Sequence, residues 1–202
     1  MSAKVSFHPA SGRSLLAEKA LAEWRQLIDD LANCRETIDE LARWTAGLIL
    51  GGSRLLACGN GGSAAEAQHF ATELVGRYSA ERRSLPAVAL SADGSLLTCI
   101  SNDYGANELF ARQVRGQGRP GDLLVALSTS GQSRNVLLAI RAAREVGLHT
   151  LALLGKGGGV MAGEAERQWI VPSQSTARIQ EAHLLFIHVV CDYVDAALTA
   201  SG

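Results

Sequence analysis

The chain has 202 residues, 47% hydrophobic and only 5% aromatic, with a formal net charge of -1. That is enough for one large domain with a substantial core, and abundant Gly, Ala and Leu favour an α/β protein over a β-sandwich. Without a basic footprint non-specific nucleic-acid binding is disfavoured, and no stretch reads as the ~20 apolar residues of a membrane span.

The N-terminal Met-Ser-Ala-Lys-Val-Ser-Phe-His has no apolar signal core, so the expectation is a soluble, cytoplasmic protein with no membrane partner. Cys34, Cys58, Cys99 and Cys191 form no Cys-x-x-Cys pair; Cys58, Cys99 and Cys191 lie in apolar runs and are expected as buried, reduced thiols. Residues 1–12 read as a loose tail. From 14 to about 32, Leu15, Leu16, Ala20, Leu21, Trp24, Leu27, Ile28 and Leu31 recur at helical spacing, and a second helix is predicted over 37–50, stopped by Gly51-Gly52. These N-terminal helices, residues 13–52, would cover a sheet face or pack against another subunit, with Trp24 and Trp44 as core or interface residues.

Residues 53–200 then alternate strands and helices. Strands are predicted at 54–58, 86–90, 122–127, 149–154 and 168–171, and helices at 64–77, 105–115, 134–146 and 177–198. The segment 95–101 fits either state. Near-continuous apolar strands alternating with helices indicate a five-stranded parallel sheet sandwiched by helices, which binds ligands beyond the carboxyl ends of its strands. The first and third strands lead straight into polar loops that fall on that edge.

The first loop is Gly59-Asn60-Gly61-Gly62-Ser63. It presents backbone N–H groups at a helix start, where an anion is favoured, and Asn60 adds a side-chain donor for a polyol. It lacks the Gly-x-Gly-x-x-Gly fingerprint of dinucleotide sites. The second loop, Ser128-Thr129-Ser130-Gly131-Gln132-Ser133, offers four hydroxyls round a glycine at the next helix start. A helix cap needs one hydroxyl; four suit a phosphate. No Walker pattern is present, so nucleotide hydrolysis is not indicated.

On the helix leaving the first loop, His69 and Glu73 stand four residues apart on one face, a spacing shared by metal ligands and acid/base pairs. The last helix carries Gln180, Glu181, His183 and His188; His188 lies inside the run Leu184 to Val190 and must find a partner. Gln180 and His188 are about 12 Å apart along a helix axis, a stretch for one ion: either it sits between them with both side chains extended, or one ligand comes from a neighbouring subunit.

Together these motifs, with Gly76-Arg77-Tyr78, Asn102-Asp103-Tyr104, Gly157-Gly158 and Ile179-Gln180-Glu181-Ala182-His183, resemble the sugar isomerase (SIS) domain family, and within it the phosphoheptose isomerase branch, over residues 35–198. The resemblance implies a Rossmann-like, flavodoxin-type fold and an aldose–ketose isomerase. Its reaction would convert D-sedoheptulose 7-phosphate to D-glycero-D-manno-heptose 7-phosphate through an enediol(ate), the first step of bacterial heptose biosynthesis. It further implies Asn60, Gly61, Gly62 and Ser63 at the sugar, with Asn102 and Asp103 also on substrate. Ser128, Thr129, Ser130 and Ser133 would hold the phosphate. His69, Glu73, Gln180 and His188 would surround zinc, loosely held, with Glu73 and His188 as the acid/base pair in a homotetramer with shared active sites. A non-catalytic relative that binds the bacterial replication initiator shares the framework but lacks the carboxylate and imidazole that stand here at Glu73 and His188; a sugar-phosphate-sensing SIS module is the other alternative.

Overall fold

The computed structural model describes residues 15–200; the expected tail, 1–12, lies outside them. Five parallel strands, β1 (Leu55–Cys58), β2 (Ala87–Ala89), β3 (Leu123–Ser128), β4 (His149–Leu154) and β5 (Arg167–Ile170), form one sheet in the order β2-β1-β3-β4-β5. The flavodoxin-type order follows directly from this pairing. The chain leaves β1 toward one edge and β3 toward the other, so the crevice past the ends of β1 and β3 is the topological switch point where such sheets take ligands.

Every residue of β1 and β3 is buried, because both faces of the sheet are covered. Alternation divides them between two cores. Leu55, Ala57, Leu123, Val125, Leu127, Leu151 and Leu153 face α2 (Arg35–Leu50), α3 (Gly62–Val75) and α7 (Thr176–Thr199), together with the buried Leu27 and Leu31 of α1 (Leu16–Ala32). Leu56, Cys58, Leu124, Ala126, Ala152 and Leu154 face α5 (Ala111–Gln117) and α6 (Arg134–Val146).

One open segment is resolved and three expectations are corrected. The open segment 95–101 lies in a helix, α4 (Gly94–Tyr104), started by Asp93, whose carboxylate accepts the Leu96 N–H at 3.1 Å. The helix predicted over 105–115 breaks into a three-residue turn, Ala106–Glu108, and α5; the pivot lets Phe110, 2% exposed, enter the second core. Cys99 is exposed, since α4 buries only Ile100. Finally, α7 does reach the length and apolarity of a membrane span. It is the central helix of the first core, and it carries the buried His183 and Asp195.

α1 is mostly uncovered. Leu16, Leu21, Trp24 and Ile28 are exposed, and only Leu27 and Leu31 are buried. Arg178 of α7 tethers it, donating to the Ala20 carbonyl at 2.7 Å beside Glu23.

Candidate active site

The two loops meet at the switch point. The Asn60 and Asn135 side-chain amides exchange two hydrogen bonds of 2.9 Å, tying the first loop to the start of α6. In the second loop Ser128 Oγ and Ser133 Oγ stand 3.1 Å apart, and the Gly131 N–H donates to Ser128 Oγ at 3.1 Å. The Gln132 N–H donates to Ser130 Oγ at 3.2 Å. Ser133 itself places no side-chain cap on α6; Asn135 Oδ1 accepts the Val136 N–H at 3.0 Å, and the positive dipole end of the helix lies at the second loop. Gly131 (φ +63°) packs its Cα against the Gly158 carbonyl, where a Cβ would collide. The 156–161 turn is thereby pressed onto the second loop.

Gln180 also reaches this crevice. Its amide lies against Gly62, where a Cβ would clash with it. Ser63 is buried behind the loop. Behind that again, Glu66 and His183 face each other across 3.9 Å, beyond hydrogen-bond reach. Glu66 Oε2 and His183 Nδ1 are both buried without a partner, while His183 Nε2 donates to the Leu154 carbonyl at 3.3 Å. Burial pushes the Glu66 carboxyl up to about 8, against a Ser63 hydrogen bond, and the His183 imidazole down to about 4. At neutral pH both are uncharged.

His69, Glu73 and His188 form a second cluster. His69 Nε2 lies 3.1 Å from His188 Nε2 and 3.3 Å from Glu73 Oε1. One imidazole must therefore present N–H and the other a lone pair. Tyr78 stacks on His188 with centroids 5.4 Å apart and planes at 30°. This cluster is some distance from the loops: Glu73 is eleven residues into α3 from Gly62, about 16 Å along the helix axis. Asn102 and Asp103 stand apart from both groups. They are exposed at the end of α4, bonded to each other at 2.8 Å, with the Cys99 thiol 3.7 Å from Asp103.

Among the described residues no group of three or more His, Cys, Asp or Glu side chains closes into a metal cage. Two imidazoles and a carboxylate are nevertheless a zinc-type donor set. Tetrahedral ligands at ~2.0–2.1 Å from zinc stand roughly 3.3 Å from one another, close to the 3.1 and 3.3 Å seen here. The donor types are those zinc takes, with Gln180 held instead at Gly62. Asn135 and Glu66 are the parts of the site the sequence reading did not single out, and Tyr78 stood there only within a motif, without a role. Each acquires its place through a tertiary partner.

The SIS domain family model matches residues 21–155. A phosphoheptose isomerase of Dechloromonas aromatica is 54% identical over 153 residues, 74% of this chain and 78% of that one. One of Campylobacter concisus is 46% identical over 182 residues, 90% of this chain and 96% of that one. The structure of the phosphoheptose isomerase GmhA from Neisseria gonorrhoeae superposes with a TM-score of 0.80 at 43% identity, covering 90% of this chain and all of that one. With its switch-point loops and its His69–Glu73–His188 cluster, the chain belongs to the SIS domain family, among the phosphoheptose isomerases.

Proposed function

We propose that the chain interconverts D-sedoheptulose 7-phosphate and D-glycero-D-manno-heptose 7-phosphate, entering bacterial heptose biosynthesis from the cytoplasm. The observation that carries this reading is the convergence of a carboxylate, Glu73, and an imidazole, His188, on either side of His69 at 3.3 and 3.1 Å. The ketose has its carbonyl at C2 and a hydroxymethyl at C1. Glu73 takes a proton from C1 and returns one to C2, while His188 carries the proton that moves from O1 to O2; the intermediate is an enediol(ate). Each such group contributes roughly 10²–10⁴-fold in rate. His69, Glu73 and His188 would hold zinc, which when bound polarises the sugar carbonyl as a Lewis acid; Gln180, seated at Gly62, would join that set only from a neighbouring protomer. Asn60, Gly61, Gly62 and Ser63 would grip the sugar, with Asn102 and Asp103 as further contacts, while Ser128, Thr129, Ser130 and Ser133 at the start of α6 hold the phosphate.

The separation of about 16 Å between Gly62 and Glu73 is longer than comfortable for one sugar phosphate. It supports a composite site, in which one protomer's loops work with a neighbour's His69, Glu73 and His188 in a homotetramer. The bare apolar face of α1, with Leu16, Leu21, Trp24 and Ile28 exposed, supplies an assembly surface.

The test is a coupled assay on sedoheptulose 7-phosphate with and without chelator, beside Glu73→Gln. Wild type should turn over and Glu73→Gln should lose at least about 10²-fold in kcat with its circular dichroism unchanged. Near wild-type turnover in Glu73→Gln would remove the carboxylate from the mechanism.

A further inference from the structure

The segment between α3 and β2, residues 76–85, is tied down more firmly than a connection requires. α3 ends at Val75, and the Gly76 N–H closes its last helical bond, to Thr72 at 2.8 Å, so the carbonyls of Glu73, Leu74 and Val75 need partners from outside the helix. All three are satisfied. Leu85 N–H donates to Leu74 at 3.0 Å. The Ser84 hydroxyl donates to Val75 at 2.6 Å. Arg82 supplies the rest: Nη2 donates to the Glu73 carbonyl at 2.5 Å and Nη1 to that of Leu74 at 3.0 Å. A guanidinium is thus seated on the negative end of the helix that carries Glu73.

The same guanidinium reaches α7. Arg82 Nε donates to Asp195 Oδ1 at 2.8 Å, with the two side chains only 2% and 8% exposed. Asp195 Oδ2 accepts the N–H groups of Ser79 and Ala80 at 2.9 and 2.8 Å. Burial alone would raise the Asp195 carboxyl; the Ala80 and Ser79 N–H groups and Arg82 outweigh it and hold it below the usual carboxylate range. Asp195 lies seven residues beyond His188, two turns along the same face of α7. Tyr78, immediately before the two N–H donors, is the residue stacked on His188.

We propose that Arg82, Asp195 and Tyr78 are positioning residues for the reaction. Arg82 fixes the turn of α3 that bears Glu73 and, through Asp195, locks to α7 the segment whose Tyr78 ring backs His188, so one buried ion pair sets the distance between the two acid/base groups. This rests on the assignment of Glu73 and His188 made above. Three donor contacts spread over Nε, Nη1 and Nη2 of one planar fork are beyond a lysine, whose donors radiate from a single point charge, and the Tyr78 contribution is its ring rather than its hydroxyl.

The experiment is steady-state kinetics on sedoheptulose 7-phosphate with Arg82→Lys, Tyr78→Phe and Tyr78→Ala, with Glu73→Gln alongside. Arg82→Lys should lose roughly 10–10² in kcat with KM within about twofold of wild type, since the phosphate loop is untouched. Tyr78→Phe should match wild type, and Tyr78→Ala should lose about tenfold in kcat. A merely structural role would lower the melting temperature and leave kcat alone. That result in Arg82→Lys or Tyr78→Ala overturns the proposal, as does a Tyr78→Phe as impaired as Tyr78→Ala. Should Arg82→Lys not fold, the Tyr78 pair decides. An active Glu73→Gln would instead strike the underlying assignment, whereas an inactive Glu73→Gln with fully active Arg82 and Tyr78 variants would strike only the positioning role.

Discussion

Glu66 and His183 hide two ionisable groups in the wall behind the sugar loop, and their stabilities run in opposite directions. The Glu66 carboxyl is raised from 4.5 to about 8. Its contribution to stability is full below 4.5 and is lost as pH rises through about 8, because the unfolded chain gives up that proton first. The His183 imidazole is lowered from 6.5 to about 4, so its contribution is present above 6.5 and is lost as pH falls toward 4. Between 4.5 and 6.5 the two slopes oppose; between 6.5 and 8 only Glu66 acts, at a slope of at most about 1.4 kcal/mol per pH unit. Glu66→Gln should therefore flatten the decline in melting temperature from pH 6.5 to 8 relative to wild type, read by thermal denaturation across that range. An unchanged difference between the two proteins at every pH would show that Glu66 is ionised in the fold. At this scale the sequence was readable where chemistry repeats at helical spacing. His69 and Glu73 announce themselves as i, i+4 neighbours, and His188 as a lone imidazole in an apolar run. Asn135 and Arg82 gave no such signal, because their partners Asn60 and Asp195 lie 75 and 113 residues away.

Among the elements, the phosphate loop depends on the turn pressed against it. Gly131 takes φ +63° and has the Gly158 carbonyl where a Cβ would go. Gly131→Ala meets both penalties. The left-handed backbone alone costs about 1–3 kcal/mol in a residue with a side chain, and the collision must push Ser128–Ser133 and Gly158 apart. The expected outcome is a fall in melting temperature of roughly 4–8 °C, together with a raised KM for the phosphorylated sugar. A variant melting within a degree of wild type would mean the two turns are not in contact. The order of strands and helices was legible from apolar runs punctuated by glycine, and α6 and β4 fall on the predicted bounds. α4 was not. Its apolar stretch is too short to separate helix from strand by period, although the Asp93 cap that decides it stands in the sequence. The break before α5 was hidden for a different reason: only the second core's need for Phe110 produces it.

For the whole molecule, the proposal of a shared site has a direct test. Ser130→Ala with Ser133→Ala disables the phosphate loop, and Glu73→Gln disables the acid/base cluster; each variant alone is expected to be nearly inactive. If one protomer's loop serves its neighbour's Glu73, unfolding and refolding an equal mixture should restore roughly a quarter of wild-type activity, because random assembly in a closed oligomer pairs an intact loop with an intact cluster at one site in four. If loop and cluster serve together within one chain, the mixture stays inactive. Assembly is the level the sequence conveyed least. It offered the stripe of α1 as a cover for a sheet face or another subunit without deciding between them, and the homotetramer came only from the resemblance.

The cluster also has a history within each chain's synthesis. His69 and His188 touch across 119 residues, and the helix carrying His188 and Asp195 is the last element described, Thr176–Thr199. A nascent chain can pair β1, β2 and β3 and seat its phosphate loop long before α7 leaves the ribosome. Until then Glu73 has only the His69 of its own helix beside it, and Arg82 lacks the Asp195 carboxylate. Chemistry therefore waits on the final helix, which also closes the first core.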